Sequence, residues 1–150
     1  MKKQNQVILS LGSNMGNRLQ VIELAITAIH ETVGTVVKVS ALYETPSWGF
    51  ESDFFYNCAL ILQTHKSAQR ILDEVLILEN SLGRTRHAES GYQARTIDID
   101  VIAFNEEIIQ TEKLQVPHPQ MQNRLFVLLP MRDLNLDWRH PILQKYLPEL

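Results

Sequence analysis

The sequence predicts an α+β fold in which helices pack on a mainly antiparallel sheet. Two segments carry apolar side chains at three- and four-residue steps, which is the spacing of an amphipathic helix, and they stop at Gly34 and Gly83. The segments around them are apolar, β-branched runs bounded by turn residues, as strands are. Their order is strand, helix, strand, strand, helix, strand. This is the βαββαβ order of a ferredoxin-like unit, and we expect extra C-terminal elements after it.

The first half of this unit has clear local signals. Residues 7–11 form an apolar run that predicts the first strand, and residues 12–17 supply turn-forming and helix-capping residues after it. A β-branched run at residues 35–44 predicts the second strand. The helix between them is predicted from a stripe of apolar residues: Leu19, Ile22, Ile26, Ile29 and Val33.

The second half repeats the pattern. Residues 54–64 predict the third strand, in which Asn57 interrupts an apolar series, and Ser67 can cap the second helix. The apolar run that ends at Phe104 predicts the last strand of the unit. The buried stripe of the second helix is predicted to be Ile71, Val75, Leu78 and Leu82.

The C-terminal third has weaker signals. Short strands are predicted near residues 108–109 and 114–116. Prolines at positions 117, 119, 130, 141 and 148 then leave room for only a short helix around residues 125–134.

Composition limits the class of protein. With 150 residues, 45% of them hydrophobic, the chain fits one domain spanning residues 1–150. A formal net charge of −3 argues against nucleic acid or an anionic membrane as a partner. Cys58 is the only cysteine, which favours a reducing compartment, and no apolar run approaches the ~20 residues of a spanning helix. We therefore expect a cytoplasmic protein.

Asp98 and Asp100 are the strongest chemical signal. On a strand, alternate side chains share a face, so these carboxylates should project together with Cα atoms ~6.6 Å apart, while Ile97, Ile99 and Val101 face the core. Adjacent carboxylates repel, and a divalent cation relieves the repulsion. Mg²⁺ suits such a pair when substrate phosphates complete its shell. The solvated face of an edge strand is an equally common reason for this pattern.

Basic residues close to the pair favour a phosphate site. Arg84, Arg86 and Arg95 lie in a polar segment without helical or strand periodicity, which could close over a ligand, and the guanidinium fork suits phosphate oxygens. His118 stands between two prolines on a stiff backbone, which suits either a positioned hydrogen-bond donor or a structural turn. Arg124 alone would most often be a surface residue.

A second group of residues could bind a flat ring. Trp48 lies in a loop, and Phe55 and Asn57 follow on a strand, so rings could sandwich a heterocycle while the amide supplies a donor and an acceptor. Packing in the core is the commoner role for such aromatics. The turn at residues 12–17 lacks the lysine and Ser/Thr of a Walker motif, so we interpret it as a structural turn. Cys58 has no activating neighbour in sequence, which makes covalent catalysis an unfavoured mechanism.

Taken together, these segments resemble the 6-hydroxymethyl-7,8-dihydropterin pyrophosphokinase family of folate biosynthesis. The match runs from the turn after the first strand to about residue 130. The motifs occur in family order: Leu11-Gly12-Ser13-Asn14, Tyr43-x-Thr45-Pro46, Phe55-Tyr56-Asn57, Glu79-x-x-x-Gly83-Arg84-x-Arg86, Arg95-Thr96-Ile97-Asp98-Ile99-Asp100 and Pro117-His118-Pro119-x-Met121-x-x-Arg124-x-Phe126.

The resemblance implies a reaction and a site. The family transfers pyrophosphate from ATP to the hydroxymethyl group of a reduced pterin, using two Mg²⁺ ions, on a ferredoxin-like monomer. By likeness, Asp98 and Asp100 hold both metals and act in catalysis with Arg84 and Arg95. The phosphates would be bound by Arg84, Arg86, Arg95, His118 and Arg124, with Glu79 supporting the site, and the pterin by Thr45, Pro46, Trp48, Phe55, Asn57 and Phe126.

Some positions depart from the family pattern, and two other functions stay open. A family tryptophan in the segment before Arg95 is missing, with Tyr92 nearby, and Trp48 and Pro119 replace commoner residues. An RNA-binding module on the same fold is one alternative, although the chain is acidic and lacks an RNP-like signature. A two-metal nuclease or phosphatase is the other, but it does not explain the ring-binding residues.

Overall fold

The computed structural model describes residues 4–13, 18–45, 55–83 and 97–150. Its main sheet is antiparallel and has the order β2-β4-β1-β5, with β3 also paired to β4. The strands of this sheet are β1 (Asn5–Ser13), β2 (Thr35–Val39), β3 (Tyr43–Thr45), β4 (Phe55–Thr64) and β5 (Asp98–Phe104). The helices are α1 (Arg18–Thr32), α2 (Ala68–Gly83) and α3 (Leu125–Asp133).

The connections explain this strand order. The chain crosses from β1 through α1 to β2 and from β4 through α2 to β5, and each crossover passes over one strand. The predicted ferredoxin-like order is therefore confirmed. Local signals start and stop the helices as expected, because Ser67 Oγ accepts the Arg70 N–H and the Gly34 N–H donates to the Ile29 carbonyl.

The sheet is covered on both faces. The first face packs against α1 and α2, and its buried side chains include Val7, Leu9 and Leu11 of β1. The second face packs against α3 and the C-terminal segment, and Ile8 of β1 faces that way. Cys58 is buried in β4. In the helix stripes, Leu19 is an exception to the prediction because it is exposed.

Two predicted boundaries are corrected. The run at residues 35–44 is not one strand, because β2 ends at Val39 and β3 begins at Tyr43. Between them Ser40 bridges the gap in the ladder: its N–H donates to the Ala59 carbonyl, and its Oγ accepts the Ala59 N–H. β1 also extends through Gly12 to Ser13, where a turn was predicted, because both neighbouring strands continue to pair with it.

The C-terminal segment contains the remaining elements. The two predicted short strands are present as β6 (Ile109–Gln110) and β7 (Gln115–Val116), which pair with each other. The predicted short helix is α3, which includes Pro130 in its interior. No helix within the described ranges combines the length and apolar character that crossing a membrane requires.

Candidate functional site

The sheet register brings the two groups of predicted residues onto one face. Gly12 of β1 is paired with Asn57 of β4 on one side and with Asp98 of β5 on the other. Directly opposed residues of antiparallel strands project to the same side of the sheet. Asn57 and Asp98 therefore share the α3 face, two strands apart, which corresponds to roughly 10 Å.

The carboxylates lie on the predicted face of β5. Asp98 and Asp100 are half-buried, whereas Ile97, Ile99 and Val101 are only 2%, 4% and 6% exposed and belong to the core under α1 and α2. The alternation of side chains along the strand is thus confirmed.

Glu79 of α2 contacts β5, which is the last strand in the described order of the sheet. Its Oε2 accepts the backbone N–H of Ile99 at 2.7 Å. This N–H belongs to the residue between the two aspartates, so the contact sets where both carboxylates lie relative to α2.

A cavity of about 390 Å³ opens beside the carboxylates. It lies between α2, β5 and residues 112–119, and its volume is in the range of small-molecule pockets. Its lining combines apolar side chains, two of them leucines of α2, with charged and polar side chains from all three segments. The lining residues are Leu72, Leu76, Glu79, Asp98, Ile99, Asp100, Val101, Glu112, Lys113, Leu114, Gln115, His118 and Pro119.

His118 is attached to β5 and is poised as a donor. Its backbone N–H donates to the Ile102 carbonyl at 2.8 Å, and its Nδ1 accepts the Gln120 N–H at 3.2 Å. Burial holds the pKa of His118 below its usual 6.5; nearby Asp100 acts in the opposite direction, and Arg124 lowers the pKa further. In the neutral ring the proton is therefore on Nε2, which can donate to an anionic oxygen.

Arg124 and Phe126 come together at the start of α3. The guanidinium carbon of Arg124 lies 5.6 Å from the centre of the Phe126 ring, which is a cation–π arrangement. Phe126 packs at the edge of the core between the second face of the sheet and α3. A cation and an aromatic ring thus lie next to each other on the same face of the sheet as the aspartates.

Asn57 and Thr45 form the opposite side of the site. Asn57 is 4% exposed, and its Nδ2 donates to Thr45 Oγ1. Gly12 makes room for this amide, because a Cβ at Gly12 would lie 2.9 Å from Asn57 Oδ1 and 3.9 Å from the Phe55 ring. The predicted residues Thr45, Phe55 and Asn57 are therefore neighbours.

Comparison with known proteins identifies the family. The family described as 7,8-dihydro-6-hydroxymethylpterin-pyrophosphokinase (HPPK) matches residues 8–136. The 2-amino-4-hydroxy-6-hydroxymethyldihydropteridine pyrophosphokinase of Bacillus subtilis is 41% identical over 87% of this chain and 78% of its own length. The protein of the same name from Porphyromonas gingivalis is 39% identical over 90% of this chain and 93% of its own length. This chain belongs to the HPPK family.

The solved structures agree on the fold. A Plasmodium falciparum HPPK-DHPS structure superimposes with a TM-score of 0.75 over 96% of this chain, at 18% identity. The chain spans 42% of the length of that protein. At this identity the likeness shows that the fold is the HPPK fold.

Several predicted HPPK site residues lie outside the described part of the chain. These residues are Pro46, Trp48, Arg84, Arg86 and Arg95. The roles assigned to them stay predictions.

Other parts of the site were missed at the level of sequence. Gly12 was assigned to a turn, and the cavity wall formed by Leu72 and Leu76 was not foreseen. An exposed leucine on a helix is a weak signal, since single exposed apolar residues are common on protein surfaces. Only the packing of residues 112–119 beside α2 makes this wall part of a cavity.

Proposed function

We propose that the chain transfers the pyrophosphoryl group of ATP to the hydroxymethyl group of 6-hydroxymethyl-7,8-dihydropterin. The products are AMP and the pterin diphosphate, in a step of tetrahydrofolate biosynthesis. HPPK membership supports the reaction, with ATP as co-substrate. The observation in the structure that supports the proposal is the row Asn57–Gly12–Asp98, because it brings an amide that can read a heterocycle onto the same sheet face as a carboxylate pair.

The nucleotide half of the site comprises Asp98, Asp100, His118 and the adjoining cavity. The apolar side chains of Leu72 and Leu76 suit the face of an adenine, and the polyphosphate would extend towards the carboxylates. His118 Nε2 would donate to a phosphate oxygen, and Arg124 would supply positive charge. By family likeness, Arg84, Arg86 and Arg95 would bind the same phosphates, with Arg84 and Arg95 acting at the transferred group.

We propose that the carboxylate pair holds two Mg²⁺ ions. The donor set is two hard oxygen groups on one strand face beside a cavity large enough for a polyphosphate, and substrate phosphates and water commonly complete a magnesium shell. When bound, the ions would neutralise phosphate charge and lower the pKa of the attacking hydroxyl. Asp98 and Asp100 are the residues that would hold them.

The pterin half of the site comprises Gly12, Thr45, Phe55, Asn57 and Phe126. The Asn57 amide offers a donor and an acceptor to the edge of a heterocycle, and Thr45 orients that amide. Phe55 and Phe126 would enclose the ring, with Pro46 and Trp48 completing the pocket by family likeness.

The transfer itself needs positioning more than covalent chemistry. The pterin hydroxyl oxygen forms a bond to the β-phosphorus, the bond from that phosphorus to the α,β-bridging oxygen breaks, and AMP leaves with that oxygen. The hydroxyl proton passes to water. In this proposal the two halves would hold the reacting groups face to face, and such positioning supplies most of the rate in phosphoryl transfer.

Product analysis tests this proposal. The chain is incubated with ATP, the pterin and Mg²⁺, and nucleotides and pterins are separated and quantified. AMP should form in a one-to-one ratio with pterin diphosphate and should not form when EDTA is present. Formation of ADP or free phosphate instead would favour a phosphatase or nuclease, and specific RNA binding without turnover would favour the binding module.

The assembly state and partners belong to the same proposal. We propose a cytoplasmic monomer that acts on small molecules and binds neither nucleic acid nor membrane. Light scattering during size-exclusion chromatography should give a mass near 17.3 kDa for this chain. Calorimetry with a non-hydrolysable ATP analogue and the pterin, with and without Mg²⁺, should show coupled binding if the two halves form one site.

A further inference from the structure

Tyr43 belongs to a family motif but has no place in the site described so far. It begins β3, a strand of three residues that pairs with β4 and carries Thr45 at its other end. So short a strand has few ladder hydrogen bonds to hold it. Its position must depend on other contacts.

Asp133, at the end of α3, supplies two of these contacts. The Tyr43 hydroxyl donates to Asp133 Oδ1 at 2.7 Å, and the Ala41 N–H donates to Asp133 Oδ2 at 3.2 Å. We call this three-residue arrangement the β3 clamp. Next to it, Lys38 Nζ donates to the Leu134 carbonyl at 2.8 Å, which ties the end of β2 to the same helix end.

The β3 clamp joins two elements of the pterin half. Thr45 lies two residues beyond Tyr43, roughly 6.6 Å along β3, and its Oγ1 holds the Asn57 amide. Phe126 lies on α3 seven residues before Asp133, roughly 10 Å along the helix axis. Movement of β3 relative to α3 would therefore change the separation of Thr45 and Phe126.

We propose that Asp133 is a positioning residue for pterin binding, because it holds β3 against α3 and so fixes Thr45 relative to Phe126. The inference rests on the proposed function, since it assumes that the pocket binds a pterin. It predicts that loss of the clamp weakens pterin binding more than nucleotide binding. Apart from Arg124 at the start of α3, the nucleotide half is built on β5, α2 and residues 112–119, whereas the clamp residues belong to the end of α3, β3 and the connection that precedes β3.

Tyrosine ionisation provides a direct signal from the clamp. The hydrogen bond to Asp133 raises the pKa of Tyr43 above its usual 10.0, with burial and the charge of Asp133 acting in the same direction. A group whose pKa is raised on folding stabilises the fold fully below its unfolded value and loses that contribution as the pH rises through the folded value. The contact should therefore persist at neutral pH and break above pH 10.

The test compares Asp133→Asn and Tyr43→Phe with Asp137→Asn. An asparagine amide in place of the Asp133 carboxylate has one acceptor oxygen, so it can accept only one of the two hydrogen bonds. Asp137 is exposed and lies four residues further along the chain, so its variant controls for loss of one negative charge. Steady-state kinetics give KM for the pterin and for ATP, and calorimetry gives pterin affinity without turnover. Absorbance at 295 nm follows tyrosine ionisation.

The expected result is selective. Asp133→Asn should raise the pterin KM and Kd about fivefold and change the ATP KM less than about twofold, which corresponds to the loss of one exposed, charge-assisted hydrogen bond. Tyr43→Phe should have a smaller effect in the same direction, and Asp133→Glu should recover most of the loss. One tyrosine should ionise at lower pH in Asp133→Asn, and Asp137→Asn should match the wild type.

Other results would overturn the inference and would remain separate from failure of the proposed function. Equal rises in both KM values, or an unchanged pterin Kd with an altered tyrosine titration, would assign the β3 clamp a purely structural role. If the wild type formed no AMP, the proposed function would fail. The pterin Kd values would still decide whether Asp133 positions the pocket.

Discussion

The two halves of the candidate site are built from different chemistry. The nucleotide half gathers ionisable groups, with Asp98 and Asp100 on one face of β5 and His118 attached to the same strand. The pterin half gathers neutral groups, in which Asn57 and Thr45 hydrogen-bond to each other above Gly12. Ligand recognition in the nucleotide half should therefore depend on charge, and ligand recognition in the pterin half should depend on shape.

This difference predicts how each half responds to change. A charge site is completed by its cations and phosphates, so removal of one carboxylate should affect turnover far more than it affects the fold. A pocket that recognises its ligand by shape is already formed before binding, so a substitution that adds a single carbon atom to it should change the pterin KM. The following experiments test this contrast, from the largest expected effect to the smallest.

Neutralising the charge half should have the largest effect. Asp100→Asn, and separately Asp98→Asn, should lower kcat/KM about 10³-fold, because the remaining carboxylate cannot balance the charge of a metal–polyphosphate site. Pterin affinity measured without Mg²⁺ should stay within about twofold of the wild type. Kinetics and calorimetry together make the measurement, and near-normal turnover would refute the assigned metal role.

Removing the support of β5 should have an intermediate effect. Glu79→Ala leaves the Ile99 N–H without its acceptor and frees the strand that carries both aspartates, so kcat/KM should fall about 10–100-fold, as for other supports of metal ligands. Glu79→Gln keeps an acceptor oxygen and is the matched control. If the glutamine variant lost as much activity as the alanine variant, the charge of Glu79 rather than its hydrogen bond would be responsible.

A pair of glycines separates shape from stability. In Gly12→Ala the new Cβ would come 2.9 Å from Asn57 Oδ1, so the amide must shift, and the pterin KM should rise about tenfold. In Gly34→Ala the Cβ would come 2.8 Å from the Gln63 carbonyl oxygen, a backbone atom remote from the site, so unfolding free energy should fall by about 1–3 kcal/mol. Kinetics should show the larger change in pterin KM in Gly12→Ala. Thermal melts should show the larger loss of stability in Gly34→Ala. If both variants lost stability and neither changed the pterin KM, Gly12 would have no role in pterin binding.

The smallest effect is expected for His140, which lies outside both halves and should change only the dependence of stability on pH. Burial lowers the pKa of His140 below 6.5, and its Nδ1 accepts the N–H groups of Ile142 and Leu143 at 3.2 and 3.0 Å. The unfolded chain therefore binds a proton at His140 more readily than the folded chain does. The contribution of neutral His140 to the free energy of unfolding is complete above pH 6.5 and declines as the pH falls below it.

The check on this expectation is a set of thermal melts between pH 5 and 8. His140→Asn keeps an acceptor oxygen without titrating, so its stability should decline less at acid pH than that of the wild type. The ratio of the two KM values at pH 7 should be unchanged in His140→Asn.

The sequence by itself predicted features that depend on neighbouring residues. Alternation along a strand is a local property of the extended backbone, which is why the shared face of Asp98 and Asp100 was predictable, together with the buried positions of Ile97, Ile99 and Val101. Helix spacing and caps are local as well, so α1 and α2 were found at nearly their observed bounds. The family motifs predicted the HPPK family for the same reason, since each one is a short contiguous segment.

Only the tertiary structure decided how distant segments meet. The row from Asn57 through Gly12 to Asp98 depends on the registers of two strand pairs, and Tyr43 meets Asp133 across a separation of 90 residues. Gly12 was taken for a turn residue because its local signal ignores the strands on both sides. Register is set by the burial of whole sheet faces and by the crossover helices, and these are properties of the folded chain rather than of any short segment.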